Sequence, residues 1–367
     1  MTGDGQVELE VKIRSAVDQI LAYNRHFPRR QLNGKLEKLS TSPFTLFRTT
    51  VHLFARDLTS GWFRDWPLAD AEGPIIGDLH TENFGAFRAV TGEIVYDIND
   101  FDETTRGSYE IDLRRLMISI LLAALDNGHS FGTGVREAEL AARSYIDTLR
   151  RVVRIRDRGT FAKSEATEVL RLLHKAREKS RAEFIKTLAV EAEPGRFAFR
   201  FNERMTAVSH RVQEKIKEAI PGFLAHVLAP PRARPMEYRL QDIAFRFAGA
   251  GSLGRARYAL LFGKGFKKQE DWTTLRLIEW KDSLNSALDS QTPQFHKDRG
   301  QQVFMYTRAF QLFPKRYLGY AIMGEKPMQS KEIGANTRAS IQRPCRTRNT
   351  SKKRPRFLEK SRRERTC

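Results

Sequence analysis

Only two of the 367 residues are cysteine, and both, Cys345 and Cys367, fall near the end of the chain. The body therefore holds no thiols for a disulfide framework or a Cys-based zinc site, which fits a reducing compartment. Long apolar runs are scarce too. The most apolar stretch, Ile118 to Leu125, is far too short to cross a bilayer. The first residues, Met1 to Gly5, show neither the basic segment nor the apolar run of a signal peptide. Histidine is sparse, eight in all, and the seven besides His80 are scattered without ligand spacing. A cytoplasmic protein with no membrane partner is the expectation.

What is present is a packed chain with a strong basic bias. Hydrophobic residues make up 40% and phenylalanine alone contributes 24 residues, which excludes a disordered chain. The length suits two domains or one large bilobal unit. The formal charge is +20, but residues 331–367, with 13 Lys/Arg and three Glu, carry half of it. That stretch has little apolar periodicity and is expected to be a disordered basic tail with at most weak, nonspecific nucleic-acid binding. Charge alone assigns no function.

Along the chain, residues 8–25 and 42–58 read as helices, the second opening on the Ser42-Pro43 cap pair. Short strands are expected near Pro74–Ile76, at Phe84–Phe87 and at Glu93–Ile98, with a turn at Thr91-Gly92. A helix runs from Ser108 to Asn127, and three more cover about 134–157, 162–192 and 202–219. Past a Pro/Arg linker the pattern shifts to strands at 242–248, 255–262 and 274–281, then a helix from about 300 to 313. The domains are therefore 1–228, mainly helical; 229–237, linker; 238–330, sheet-rich; and 331–367, tail.

The strongest chemical signal is Gly77-Asp78-Leu79-His80-Thr81-Glu82-Asn83, followed by Asp97-Ile98-Asn99-Asp100-Phe101-Asp102-Glu103. Phosphoryl transfer asks for a carboxylate to orient the acceptor hydroxyl and for oxygen ligands that hold Mg²⁺ against the phosphates. A loop with Asp and then Asn five positions later supplies both, and an Asp after the next hairpin completes the metal site. Single Gly-Asp-x-His matches are common in turns; the ordered set is much harder to reach by chance.

At these residues the chain resembles the aminoglycoside and choline kinase branch of the protein-kinase-like superfamily. The resemblance implies Asp78 as the catalytic aspartate, and Asn83 with Asp100 as metal ligands. It also implies Asp112, in Asp112-Leu113-Arg114-Arg115-Leu116, as the helix carboxylate bracing the loop. Asp102 is a further metal candidate and Asp97 a third, while His80 is taken as a structural member of the loop. The run is more similar still to an uncharacterised bacterial family, domain of unknown function 2252. Its members are similar at Ser42-Pro43-Phe44, at Phe47-Arg48, at both motifs and at a later Gly-rich segment, over roughly residues 40–330.

That later segment is Gly249-Ala250-Gly251-Ser252-Leu253-Gly254. Such a pattern fits a dinucleotide fold when a helix follows it, an ordinary hairpin, or a nucleotide-covering loop between strands. Residues 255–262 read as a strand, so Gly249, Gly251, Ser252 and Gly254 are expected over the phosphates, where no side chain keeps backbone N–H groups away. Lys281, closing a strand, is the candidate for the α/β-phosphates, and Arg48 a further candidate phosphate or acid partner. No Glu occurs between Glu279 and Glu325, so the usual partner of the kinase lysine is missing; Asp282, Asp289 and Asp298 are candidate substitutes.

Because the catalytic loop precedes the glycine loop, the expected fold is α+β, a kinase-like bilobal fold in circularly permuted order. The expected activity is transfer of the ATP γ-phosphate, with Mg²⁺, to an unidentified hydroxyl acceptor. The alternatives are a nucleotide-binding pseudokinase and a nucleotidyl (AMP) transferase, which need the same metal and triphosphate clamp.

Overall fold

The computed structural model describes residues 3–25, 29–59, 67–155, 167–178, 180–230, 235–247, 255–263, 271–289, 298–334 and 337–338. Four helices open the chain: α1 (Gly3–Tyr23), α2 (Arg29–Leu39), α3 (Pro43–Thr49) and α4 (Val51–Thr59). The Ser42 hydroxyl accepts from the Thr45 N–H at 3.1 Å, and Pro43 sits in the first turn, where a missing N–H leaves nothing unpaired. The one helix expected over 42–58 is thus two, because Thr50 leaves helical geometry at φ −122° and ψ 48°.

Next come β1 (Glu72–Ile75), β2 (Phe84–Arg88), β3 (Ile94–Ile98) and β4 (Thr105–Ser108). β1 pairs antiparallel with β4, and β2 with β3, the latter hairpin turning through Gly92 at φ +101°. Ser108 then caps α5 (Tyr109–Asp126) by accepting from the Glu110 N–H, and α5 packs against α6 (Phe131–Ile155).

The helix expected over about 162–192 is broken up in the structure, and the one expected over 202–219 begins only at His210. The region forms α7 (Thr167–Arg177), α8 (Arg181–Lys186), a hairpin of β5 (Ala189–Glu193) and β6 (Arg196–Phe199), the short β7 (Met205–Thr206), and α9 (His210–His226). Gly195, at φ +73°, turns the hairpin. Phe197 and Phe199 alternate onto one buried face, the period of a strand rather than a helix.

The rest of the chain supplies β8 (Arg239–Arg246), β9 (Arg257–Gly263), β10 (Arg276–Asp282), α10 (Arg299–Phe310), β11 (Gly319–Met323), β12 (Lys326–Glu332) and β13 (Thr337–Arg338). Six strands form one antiparallel sheet in the order β11-β12-β10-β9-β8-β7. Residues 231–234 of the expected linker lie outside the described residues, and Pro235–Glu237 makes one 3₁₀ turn.

The tail boundary placed at 331 is also corrected. Lys331 lies opposite Glu279 in the β12–β10 ladder, Ile333 is buried, and β13 pairs with β2. Cross-strand charge pairing explains how so polar a segment holds a strand. Residues 339–367 lie outside the described residues.

Strand alternation divides the large sheet into two chemical faces. Leu260, Phe262, Ile278 and Trp280 point to one face and pack under α9, where Phe223 meets Trp280 edge-on at 5.4 Å. Leu261 and Leu277 begin the other face in a second core with Phe197. Farther along that face the residues are Arg246, Arg257, Glu279 and Lys281, all but Arg246 buried. These charges face the loops that follow β1 and β3.

Candidate active site

The loop after β1 is held by its backbone before any side chain is considered. Gly77 has φ +79°, and a Cβ there would come within 2.2 Å of the Glu103 carbonyl oxygen, so only glycine fits. Asp112, in the first turn of α5, accepts from the N–H groups of Ile76 at 2.6 Å and Gly77 at 2.8 Å. Burial pushes the Asp112 carboxyl up to about 6, against the pull of those two donors.

Asp78 follows. Its Oδ1 accepts from the Arg115 Nε at 2.6 Å, and Arg115 is fully buried. The guanidinium lies over the rings of Phe47 at 4.3 Å and Phe54 at 5.0 Å, and donates to the Phe47 carbonyl at 3.0 Å. Burial raises the Asp78 pKa, and Arg115 offsets only part of that shift. Arg115 is a residue that sequence reasoning passed over. The available signal was its place three residues after Asp112, on the same helix face.

The loop closes in a 3₁₀ turn over Thr81–Asn83. His80 caps it, its Nδ1 accepting from the Glu82 N–H at 3.2 Å, and stands edge-on to Phe44. Burial drives the His80 pKa down to about 3, so the imidazole is neutral. Asn83 donates from Nδ2 to the Asp78 carbonyl at 3.0 Å, which leaves its Oδ1 buried without a hydrogen-bond partner. Arg48 pairs with Glu82 at the rim.

After the hairpin, Asp97 turns back on its own strand, accepting from the Ile98 N–H at 2.7 Å. Asp100 lines a cleft of about 240 Å³ together with Asn83, Asn99 and His80. The opposite wall is the charged face of the sheet, with Arg246, Arg257, Glu279 and Lys331. Arg246 and Arg257 both pair with Glu279; burial pushes the Glu279 carboxyl up, but Arg257, Lys331 and Arg246 together hold it below its ordinary range.

Asp102 is engaged differently from Asp100. It forms an ion pair with the buried Lys281, a second with Arg255 at 3.3 Å, and accepts from Gln329 at 2.8 Å. Lys281 therefore meets a carboxylate from the first part of the chain, and two of the substitutes considered on its own side, Asp298 and Asp289, are used elsewhere. Asp298 caps α10, and Asp289 accepts from Thr105 and Ser286. Asp282 carries a carboxyl whose pKa burial raises. Glu103 strengthens the junction through Arg255 at 2.9 Å and the Ala287 N–H at 2.8 Å, and Arg299 donates to the Asp102 carbonyl at 2.9 Å.

Gly249, Gly251, Ser252 and Gly254 lie outside the described residues; the strands on either side, β8 and β9, pair antiparallel. Among the described residues no group of three or more His, Cys, Asp or Glu side chains is placed to hold a metal ion. Asn83 and Asp100 are a smaller set that such a cluster would not include. No helix among the described residues is long and apolar enough to cross a membrane.

Fold and site together define an α+β protein with an oxygen-rich loop set against a charged sheet face. A family model described as "Uncharacterized protein conserved in bacteria (DUF2252)" matches residues 28–341, and the chain belongs to this family. No curated protein and no solved structure matches it.

Proposed function

We propose that the protein is a kinase-like phosphotransferase with its two lobes in reversed chain order, moving the ATP γ-phosphate to a hydroxyl acceptor. The observation that carries this reading is the ion pair between Lys281 and Asp102, which joins the lysine strand to the loop two residues past Asp100. The order of parts agrees with it: a strand, the glycine segment, a strand, a strand bearing lysine, then a helix.

In this reading Asp78 orients the acceptor hydroxyl and takes its proton, and Arg115 fixes the carboxylate in place. Asn83 Oδ1 and Asp100 would hold Mg²⁺. The residues fit such an ion: the amide oxygen is buried and unpaired, and both donors are hard oxygens. When bound, the metal supplies charge neutralisation at the phosphates. Lys281 would move from Asp102 toward a phosphate oxygen as nucleotide enters.

The absence of any acidic residue in α10 favours a second reading, a nucleotide-binding pseudokinase. Incubation with Mg²⁺ and either γ- or α-labelled ATP separates the cases. Movement of the γ label, lost in Asp78→Asn, supports phosphotransfer. Movement of the α label points to nucleotidyl transfer, and binding without movement of either label to the pseudokinase.

A further inference from the structure

We infer that this cleft recognises a divalent metal bound to a polyphosphate chain and reads little of the base attached to it. The inference rests on the phosphotransferase reading of the same site and adds the chemistry of its ligand. On the loop wall, Asn83 and Asn99 both have buried side-chain oxygens without hydrogen-bond partners. Asp100, the residue after Asn99, adds a carboxylate to the same cleft. Two unsatisfied amide oxygens in one cleft are costly unless a ligand engages them. Oxygen donors of this kind suit Mg²⁺. Asn99 is held in register because its N–H donates to the Asn83 carbonyl at 2.7 Å. It thus becomes a third protein oxygen for the metal.

On the sheet wall three cations, Arg246, Arg257 and Lys331, surround the carboxylate of Glu279. Glu332 also lines the cleft, but it lies 3.9 Å from Arg181 and burial raises its pKa. Guanidinium groups and a lysine suit phosphate oxygens through charge-assisted hydrogen bonds. A base, by contrast, is gripped by apolar and aromatic faces. Among the described residues of the cleft the only large apolar side chain is Ile333. Recognition therefore falls on the phosphates and the metal.

The test is calorimetric titration of the full chain, with Mg²⁺, using ATP, GTP, CTP, inorganic tripolyphosphate and adenosine. The three nucleotides and tripolyphosphate are expected to bind within about tenfold of one another, and adenosine not to compete. Arg257→Met and Lys331→Met should weaken ATP and tripolyphosphate by the same factor, on the order of tenfold each. Asn99→Ala should weaken both only when Mg²⁺ is present. Thermal melts of each variant establish that it is folded. Preference for ATP over GTP and tripolyphosphate by more than about a hundredfold, or competition by adenosine, overturns this inference and leaves phosphotransfer standing. Failure of all four phosphate ligands to bind overturns both.

Discussion

Lys281 and Asp102 lie far apart in the chain, yet their side chains form an ion pair with Lys281 only 2% exposed. Burying a charge is tolerated only with a partner and further hydrogen bonds, and Asp102 has both, through Arg255 and Gln329. The pair ties the β10 strand of the sheet to the loop after β3, and so sets the two walls of the cleft.

Removing the lysine charge leaves Asp102 with Arg255 and Gln329, so the loss should be partial. Lys281→Met is expected to lower unfolding free energy by about 1–3 kcal/mol in urea titrations. Under the proposed function nucleotide use should fall much further, because the variant remains folded but loses the phosphate contact assigned to Lys281. Equal loss of binding and stability would mean that the lysine is structural only.

Arg115 is the harder residue to remove. It is fully buried, it holds Asp78, and two phenylalanine rings enclose it. Arg115→Met should cost about 3–5 kcal/mol, since it leaves a carboxylate in a desolvated site without its partner. In the Arg115→Met/Asp78→Asn double variant much of that loss should return, a non-additivity that denaturation of all four proteins measures.

Asp112 supplies a pH test with a defined sign. Its carboxyl titrates at about 6 in the folded chain against an ordinary value of 3.8. Between these values the folded state binds more protons than the unfolded one, so this group's contribution to stability is present at low pH and is lost as pH rises through about 6. Asp112→Asn should flatten that part of the stability–pH curve. It should also destabilise at every pH, because an amide accepts from only one of the two N–H groups that the carboxylate serves. An unchanged slope in thermal melts from pH 4 to 7 would contradict the assignment.

Two glycines make a matched pair. Gly77 and Gly128 have similar positive φ, +79° and +85°, but a Cβ at Gly128 meets nothing within 4 Å. Gly128→Ala should cost about 1 kcal/mol from backbone strain alone. Gly77→Ala adds a clash with the Glu103 carbonyl and should cost several times more, read as a larger fall in melting temperature.

The parts of the fold that the sequence made legible are those with strong local signals. Ser42-Pro43 and Ser108 mark helix starts because capping is a short-range interaction, and Thr91-Gly92 marks the hairpin turn for the same reason. Residues 189–199 escaped because Phe197 and Phe199 give too short an alternation to stand out beside helical neighbours. Lys331 and Glu332 looked like tail because the cross-strand partner that orders Lys331, Glu279, lies far away in sequence. Asp78, Asn83 and Asp100 were readable as a spaced motif, and of these Asn83 and Asp100 line the cleft. Arg115, Asn99 and the arginines of the sheet wall were not, since their placement comes from tertiary approach rather than spacing.

The most direct measurement is the anomalous scattering of Mn²⁺ in crystals grown with a non-hydrolysable ATP analogue. A phosphotransferase cleft built from both lobes requires the metal peak within coordination distance of Asn83 Oδ1 and the Asp100 carboxylate. The phosphates should then lie between that peak and Lys281. A nucleotide bound elsewhere on the chain, or a metal peak away from Asn83 and Asp100, would contradict it.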